Sequence, residues 1–185
     1  MIRLMRPPIA WHVVAILLIL TVPMARADNL LKNADFKEGS QLWRGDAQEA
    51  YLKPDGTEGS ELDKDAVPVL RVSLSHGTPR EVYQEFRLTS ASNQLHVQVE
   101  IYASIDFKRS AHTEDYQSDF YIPNADFSYR MMPDYSTRMS ALKPGEWTTV
   151  KGVINLFQVS EDRSIHFCFP PGEGVVYIKN PSLTP

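Results

Sequence analysis

Two short stretches of this 185-residue chain alternate in a way that presents chemistry on one side only. In the first, Tyr83, Glu85 and Arg87 alternate with Val82, Gln84, Phe86 and Leu88. In the second, Gln98, Glu100 and Tyr102 follow His96 and alternate with Leu95, Val97, Val99 and Ile101. Aromatic rings beside planar polar groups suit the capture of a ligand that offers both flat apolar faces and many hydrogen-bonding groups. If both stretches lie in one sheet, their outward side chains form a single polar and aromatic surface, and a concave sheet would make it a groove. The same pattern fits a solvated face with ordinary cross-strand pairs, such as Arg87 with Glu100. A third source is the span 106–142, which holds Tyr116, Phe120, Tyr121, Phe127, Tyr129 and Tyr135 among Asp and Arg residues. Phe120 and Phe127 suit a core, whereas tyrosines such as Tyr121 and Tyr129 suit a wet binding edge.

Bond-breaking chemistry is less well supplied. Glu85 and Glu100 are candidates for the carboxylate pair of a glycoside hydrolase, which needs a separation of about 5 to 10 Å. Adjacent strands provide such separations by default, so the spacing alone says little. There is no nucleophile elbow and no phosphate-binding glycine loop. His112-Thr113-Glu114-Asp115 has no second histidine at metal-ligand spacing, and 55–65 lacks the spacing of a calcium loop, so no metal or other cofactor is expected. Cys168 is the only cysteine, which rules out an intramolecular disulfide. Its setting, Ile165-His166-Phe167-Cys168-Phe169, reads as a buried thiol that acts as a small hydrophobe.

The elements that must position these residues are strands. After residue 27 no stretch sustains a 3.6-residue apolar period, and short alternating runs are separated by Gly, Pro, Asn, Asp and Ser. Strands are expected at 67–74, 81–88, 95–102, 147–156, 165–169 and 175–178, with further short ones near 120–122 and 127–131. This is the pattern of an all-β antiparallel sandwich, or jelly roll, in which each strand buries one face. Residues 54–65 read as an exposed loop.

The N-terminus has the grammar of a secretory signal peptide. Arg3 and Arg6 precede an apolar run from Val13 to Val22, and Ala25-Arg26-Ala27 places small residues at the cleavage positions. The rival, an uncleaved anchor, wants about 20 apolar residues. The expected organisation is therefore a signal peptide at 1–27 and one domain at 28–185, periplasmic or extracellular. Removing 1–27 takes away three of the 19 basic residues and none of the 23 acidic ones, so 16 face 23 and the net charge moves from −4 to −7. That balance argues against nucleic acid or an anionic membrane as partner.

Four motifs occur in order along the chain. It opens with Asn29-Leu30-Leu31-Lys32-Asn33-Ala34-Asp35-Phe36-Lys37-Glu38-Gly39, followed by Trp43. Val69-Leu70-Arg71-Val72 and Val82-Tyr83-Gln84-Glu85-Phe86-Arg87-Leu88 lie in the middle. Pro144-Gly145-Glu146-Trp147-Thr148-Thr149-Val150 comes next, and Val176-Tyr177-Ile178-Lys179-Asn180-Pro181-Ser182-Leu183 closes the chain. This order resembles the carbohydrate-binding modules of the family 4, 9 and 22 type, galactose-binding-domain-like β-sandwiches. The resemblance implies that the opening segment pairs as a first strand with the last, with Phe36 and Trp43 near that seam. It also implies a structural calcium, yet the positions of its carboxylates hold Lys37 and Lys179-Asn180, and an ammonium offers no oxygen ligand.

The function implied is an exported, non-catalytic module that binds a poly- or oligosaccharide through Tyr83, Glu85, Arg87, Gln98, Glu100, Tyr102, Tyr121 and Tyr129. Two alternatives stand beside it. One is an envelope protein–protein interaction domain on the same scaffold, marked by a large exposed apolar patch. The other is a small polysaccharide hydrolase, marked by a carboxylate pair in a cleft.

Overall fold

The structure is a computed structural model. It describes residues 28–88, 92–109, 120–123, 128–130, 132–133, 142–157 and 162–185, without the side chains of 109, 128–130, 132–133 and 162. The signal-peptide segment, His112 to Asp115, Tyr116, Phe127 and Tyr135 lie outside the described residues.

Alternation in the sequence is realised as thirteen strands among the described residues. These are β1 (Arg44–Gly45), β2 (Gln48–Leu52), β3 (Val67–Ser73), β4 (Arg80–Arg87), β5 (Gln94–Ala103), β6 (Lys108–Arg109) and β7 (Phe120–Pro123). They continue with β8 (Ser128–Arg130), β9 (Met132–Pro133), β10 (Trp147–Asn155), β11 (Asp162–Phe169), β12 (Gly172–Glu173) and β13 (Val175–Thr184). Five form sheet A, in the order β1-β4-β11-β7-β8, and six form sheet B, in the order β2-β3-β13-β5-β10-β9. β12 and β6 make a separate two-stranded ribbon. The paired strands run antiparallel throughout.

Each sheet turns its apolar alternates inward. Val82, Phe86, Ile165, Phe167, Phe120 and Ile122 of sheet A meet Leu70, Val72, Val97, Val99, Ile101, Val150 and Ile178 of sheet B in one buried core. The N-terminal segment closes one side. Leu30 N donates to Leu183 O at 2.8 Å, and Asn29 Oδ1 accepts from Leu183 N at 2.9 Å. It thus ties to the last strand as the resemblance implies, but through turns and not as a strand. Asn33 and Phe36 take positive φ in these turns, which lets the Phe36 ring enter the core. There it meets Trp43 edge-on, and Trp43 stacks on Phe167, both at 5.7 Å between centroids.

A second, smaller core lies on the other side of sheet B. Leu52, Val69, Tyr102 and Tyr177 are buried there, with Trp147 packed against them. Loop 53–66 lies over it: a Cβ at Gly56 would overlap the Tyr102 hydroxyl. The loop is exposed on its outer side, as expected, and its inner side is a lid on these aromatics.

Candidate functional site

The two stretches singled out in the sequence do not share a sheet. β4 belongs to sheet A and β5 to sheet B, and their polar faces point to opposite sides of the sandwich. The single surface expected from Tyr83, Glu85, Arg87, Gln98, Glu100 and Tyr102 therefore does not form, nor does an Arg87–Glu100 pair. Arg87 stands opposite Asp162, and Glu100 stands between Thr149 and Lys179. Glu85 and Glu100 cannot flank one glycosidic bond for the same reason. Alternation specifies which residues share a face of one strand, but not which strands are neighbours.

On sheet B two of the three expected side chains, Tyr102 and Glu100, are already engaged. Tyr102 is only 4% exposed, with Trp147 at 5.5 Å and Tyr177 at 6.1 Å between ring centroids. Glu100 takes the Lys179 ammonium at 3.1 Å on one oxygen and the Asn180 amide at 2.9 Å on the other. The same ammonium sits 3.8 Å from the Trp147 ring centroid. Gln98 lines a cleft of about 620 Å³ with Asp28, Asp35 and Asn180. Lys37, at one family calcium position, points its ammonium to Asp35 at 2.7 Å and is largely exposed. Among the described residues no three His, Cys, Asp or Glu side chains are placed to hold a metal.

Sheet A carries the more coherent arrangement. Cross-strand register puts Arg44 opposite Tyr83, Tyr83 opposite His166, His166 opposite Tyr121, and Tyr121 opposite Arg130. One row, Arg-Tyr-His-Tyr-Arg, thus crosses all five strands. The imidazole of His166 is stacked between Tyr83, at 4.8 Å and 7° between planes, and Tyr121, at 5.0 Å and 22°. The rings spend their faces on each other, and their polar atoms meet side chains of the same sheet. Ser164 Oγ lies 2.8 Å from His166 Nε2, the Tyr121 hydroxyl donates to Glu81, and Arg44 meets Glu85 at 3.5 Å. His166 Nδ1 lies 2.9 Å from the same Glu81 oxygen, without the alignment of a hydrogen bond. Of the expected residues, Tyr83, Glu85, Arg87 and Tyr121 belong to the strands of this face. Tyr129 is in register with Ile122, while Arg130 and not Tyr129 lies opposite Tyr121.

His166, Glu81, Ser164 and Arg44 were not singled out from the sequence. A signal for two of them was present: in Ser164-Ile165-His166-Phe167-Cys168-Phe169 the alternation that buries Ile165, Phe167 and Phe169 must turn Ser164 and His166, with Cys168, the other way. Cys168 accordingly lies half-buried on the outer face, in register with Glu81, and is not the core thiol expected.

The sequence Ser164–His166–Glu81 has the order of a hydroxyl, imidazole and carboxylate relay. Its setting does not suit acyl transfer. The backbone N–H groups of β4 and β11 lie in the plane of the sheet, so none points out of the face to receive an oxyanion. Nor do Glu81 and Glu85 make a glycosidase pair. Four residues along one strand put them about 13 Å apart, beyond the spacing of about 5 to 9.5 Å that such pairs require. What the face offers is a line of fixed donors and acceptors, with the Arg44 cation at one flank.

No family model and no curated protein matches the chain. Solved structures do. An arabinose-bound α-L-arabinofuranosidase superposes over 85% of this chain, at 12% identity and a TM-score of 0.54. A family 4 carbohydrate-binding module does so over 83%, at 12% identity and 0.50. The enzymatically active domain of tailspike protein 4 of bacteriophage CBA120 does so over 84%, at 10% identity and 0.50. The chain has a carbohydrate-binding-module-like fold. It spans 98% of the family 4 module, but only 26% of the arabinofuranosidase and 21% of the tailspike domain. At these identities the likeness is one of architecture, and function has to come from the site.

Proposed function

We propose that this protein is an exported, non-catalytic glycan-binding module that takes its ligand on the outer face of sheet A. The observation that carries the reading is the five-strand row Arg44–Tyr83–His166–Tyr121–Arg130, with its three stacked rings. A sugar presents hydroxyls at fixed spacing around an apolar ring. Polar groups held by stacking and by the sheet meet those hydroxyls with little entropy left to lose. The fold shared with a family 4 carbohydrate-binding module agrees with this reading. Export agrees too, since polysaccharides are abundant outside the cytoplasm. The module needs no calcium at the position where Lys179 already supplies a cation to Glu100.

A protein-binding role has less in its favour. Among the described residues, exposed large apolar side chains are spread along the chain: Leu42 precedes β1, Leu62 lies in the lid loop, Val67 begins β3, Ile105 follows β5 and Phe157 follows β10. Since β5 and β10 run antiparallel from Tyr102–Trp147 to Gln94–Asn155, Ile105 and Phe157 stand at opposite ends of sheet B.

A glycan array followed by calorimetry tests the proposal. Binding is expected at millimolar ligand or below. His166→Ala, which removes the centre of the row, should weaken it by about tenfold or more while the far-ultraviolet spectrum stays that of the parent. No binding to any plant or bacterial polysaccharide at millimolar ligand would sink the reading.

A further inference from the structure

A cleft of about 940 Å³ opens where the N-terminal segment crosses the ends of β4 and β11. Among the described residues, Lys32, Arg44, Arg87 and Arg163 line it, against the carboxylates of Asp28 and Glu85. The local sign is therefore opposite to that of the chain, whose net charge is −4. Lys32 and Arg44 are exposed cations there, and Arg163 lies deeper in it.

These three cations are held in different ways. Arg163 is 8% exposed and stands on the inner side of β11 opposite Phe86, where it lines the cleft from within. Lys32 is exposed and makes no ion pair with a described residue, yet its backbone is clamped. The Gln84 side chain, only 2% exposed, accepts from Lys32 N at 2.8 Å and donates to Lys32 O at 2.9 Å. Arg44 is engaged with Glu85 at 3.5 Å, but both side chains are about two-thirds exposed, and such pairs exchange partners at little cost. The cleft adjoins the aromatic row. Ser164 and Glu85, which line it, are in register with each other and lie two residues, about 7 Å, from His166 and Tyr83 along their strands.

We propose that this cleft is a subsite for the carboxylate of a uronic acid, so that the glycan taken by sheet A is an acidic one. The inference rests on the glycan-binding reading above. The row meets sugar hydroxyls, and the cleft places the Lys32 ammonium and the Arg44 guanidinium, whose fork matches a carboxylate, where the next part of the same chain would lie. A cationic pocket on an otherwise acidic protein also draws the acidic end of the ligand in first.

The test uses pairs of oligosaccharides that differ only in the carboxylate, such as oligogalacturonate against oligogalactoside and glucuronoxylan against xylan fragments. In every pair that binds, the acidic member is expected to bind about tenfold tighter or more, with an advantage that shrinks as salt is raised. Lys32→Glu should cut that advantage about tenfold and leave the neutral member within about twofold. Lys64→Glu, the same charge change on the lid of the opposite sheet, should leave both unchanged. Equal affinity within the pairs, or an equal loss from Lys64→Glu, overturns the carboxylate subsite while leaving glycan binding standing. A sulfated galactan that binds as tightly as the uronate overturns the assignment to carboxylate in favour of anionic charge in general. Failure of both members of every pair overturns the glycan-binding reading itself, together with this inference.

Discussion

His166 shows how much a single side chain is constrained on sheet A. Two tyrosines hold its ring faces, Ser164 meets one nitrogen, and Glu81 lies beside the other. A side chain held on four sides is pre-organised, which is what a recognition element needs. Gln84 is the second telling residue. A buried amide is tolerated only when its polar atoms are satisfied, and here both satisfy the backbone of Lys32. Gln84→Leu should therefore do more than remove two hydrogen bonds, because it strands a partly buried N–H and C=O. The expected loss is about 1 to 3 kcal/mol in chemical denaturation. Affinity for an acidic glycan should fall more than affinity for its neutral partner, as the Lys32 segment loosens.

Loop 53–66 is the element with the clearest mechanical role. Its backbone closes on itself through Lys53 N to Thr57 O at 2.9 Å and Gly56 N to Lys53 O at 2.9 Å. Gly56 has φ of +82° and lies against the Tyr102 ring, so a side chain there meets strain and overlap together. Gly56→Ala should lower stability by about 1 to 3 kcal/mol in a urea titration. Glycan affinity should be unchanged, because the lid covers sheet B and the proposed site is on sheet A. An equal loss of affinity would place the ligand on the wrong sheet in the present proposal. At this scale the two sheets differ: the outer face of sheet B is covered by a lid at its Tyr102 end, and that of sheet A carries ordered polar groups.

At the scale of the whole molecule, one cluster ties the lid to both its neighbours. Glu58 of the lid accepts from the Tyr177 hydroxyl and from Arg71 Nε, each at 2.7 Å. The hydrogen bond from Tyr177, and then the one from Arg71, hold the Glu58 carboxyl below its usual 4.5 against the opposing effect of burial. Burial first, and the Glu58 carboxylate second, push the Tyr177 hydroxyl up to about 12 from 10. A carboxyl lowered on folding contributes stability above about pH 4.5, which is lost as pH falls through its folded value. A phenol raised on folding contributes stability below about pH 10, which is lost as pH rises through about 12. Stability of the parent should hence show a plateau between these limits in thermal melts across pH. Glu58→Gln should lower the plateau and flatten its acid edge, with a modest effect because Glu58 is half exposed.

Much of this architecture is legible in the amino-acid sequence. Period-2 alternation suffices for the long strands β3, β4, β5, β10 and β11, and for the inward set Val82, Gln84, Phe86 on one of them. It also suffices for the fold class, since strands that bury one face each have to be stacked in two layers. The two-residue strands β1, β6, β9 and β12 are not legible, because so short a pairing is decided by its partner and carries no period of its own. The site is half legible for the same physical reason. Alternation along β4 and β11 sets which side chains leave the sheet, but whether Tyr83 meets His166 or Gln98 depends on strand order, and strand order is fixed by contacts between residues far apart in the sequence. Burial of Tyr102 is equally hidden: its own strand leaves it outward, and only a lid from a distant, earlier part of the chain covers it. Local pattern thus determined the strands and their faces, whereas tertiary packing alone decided which faces meet and which aromatics the lid covers.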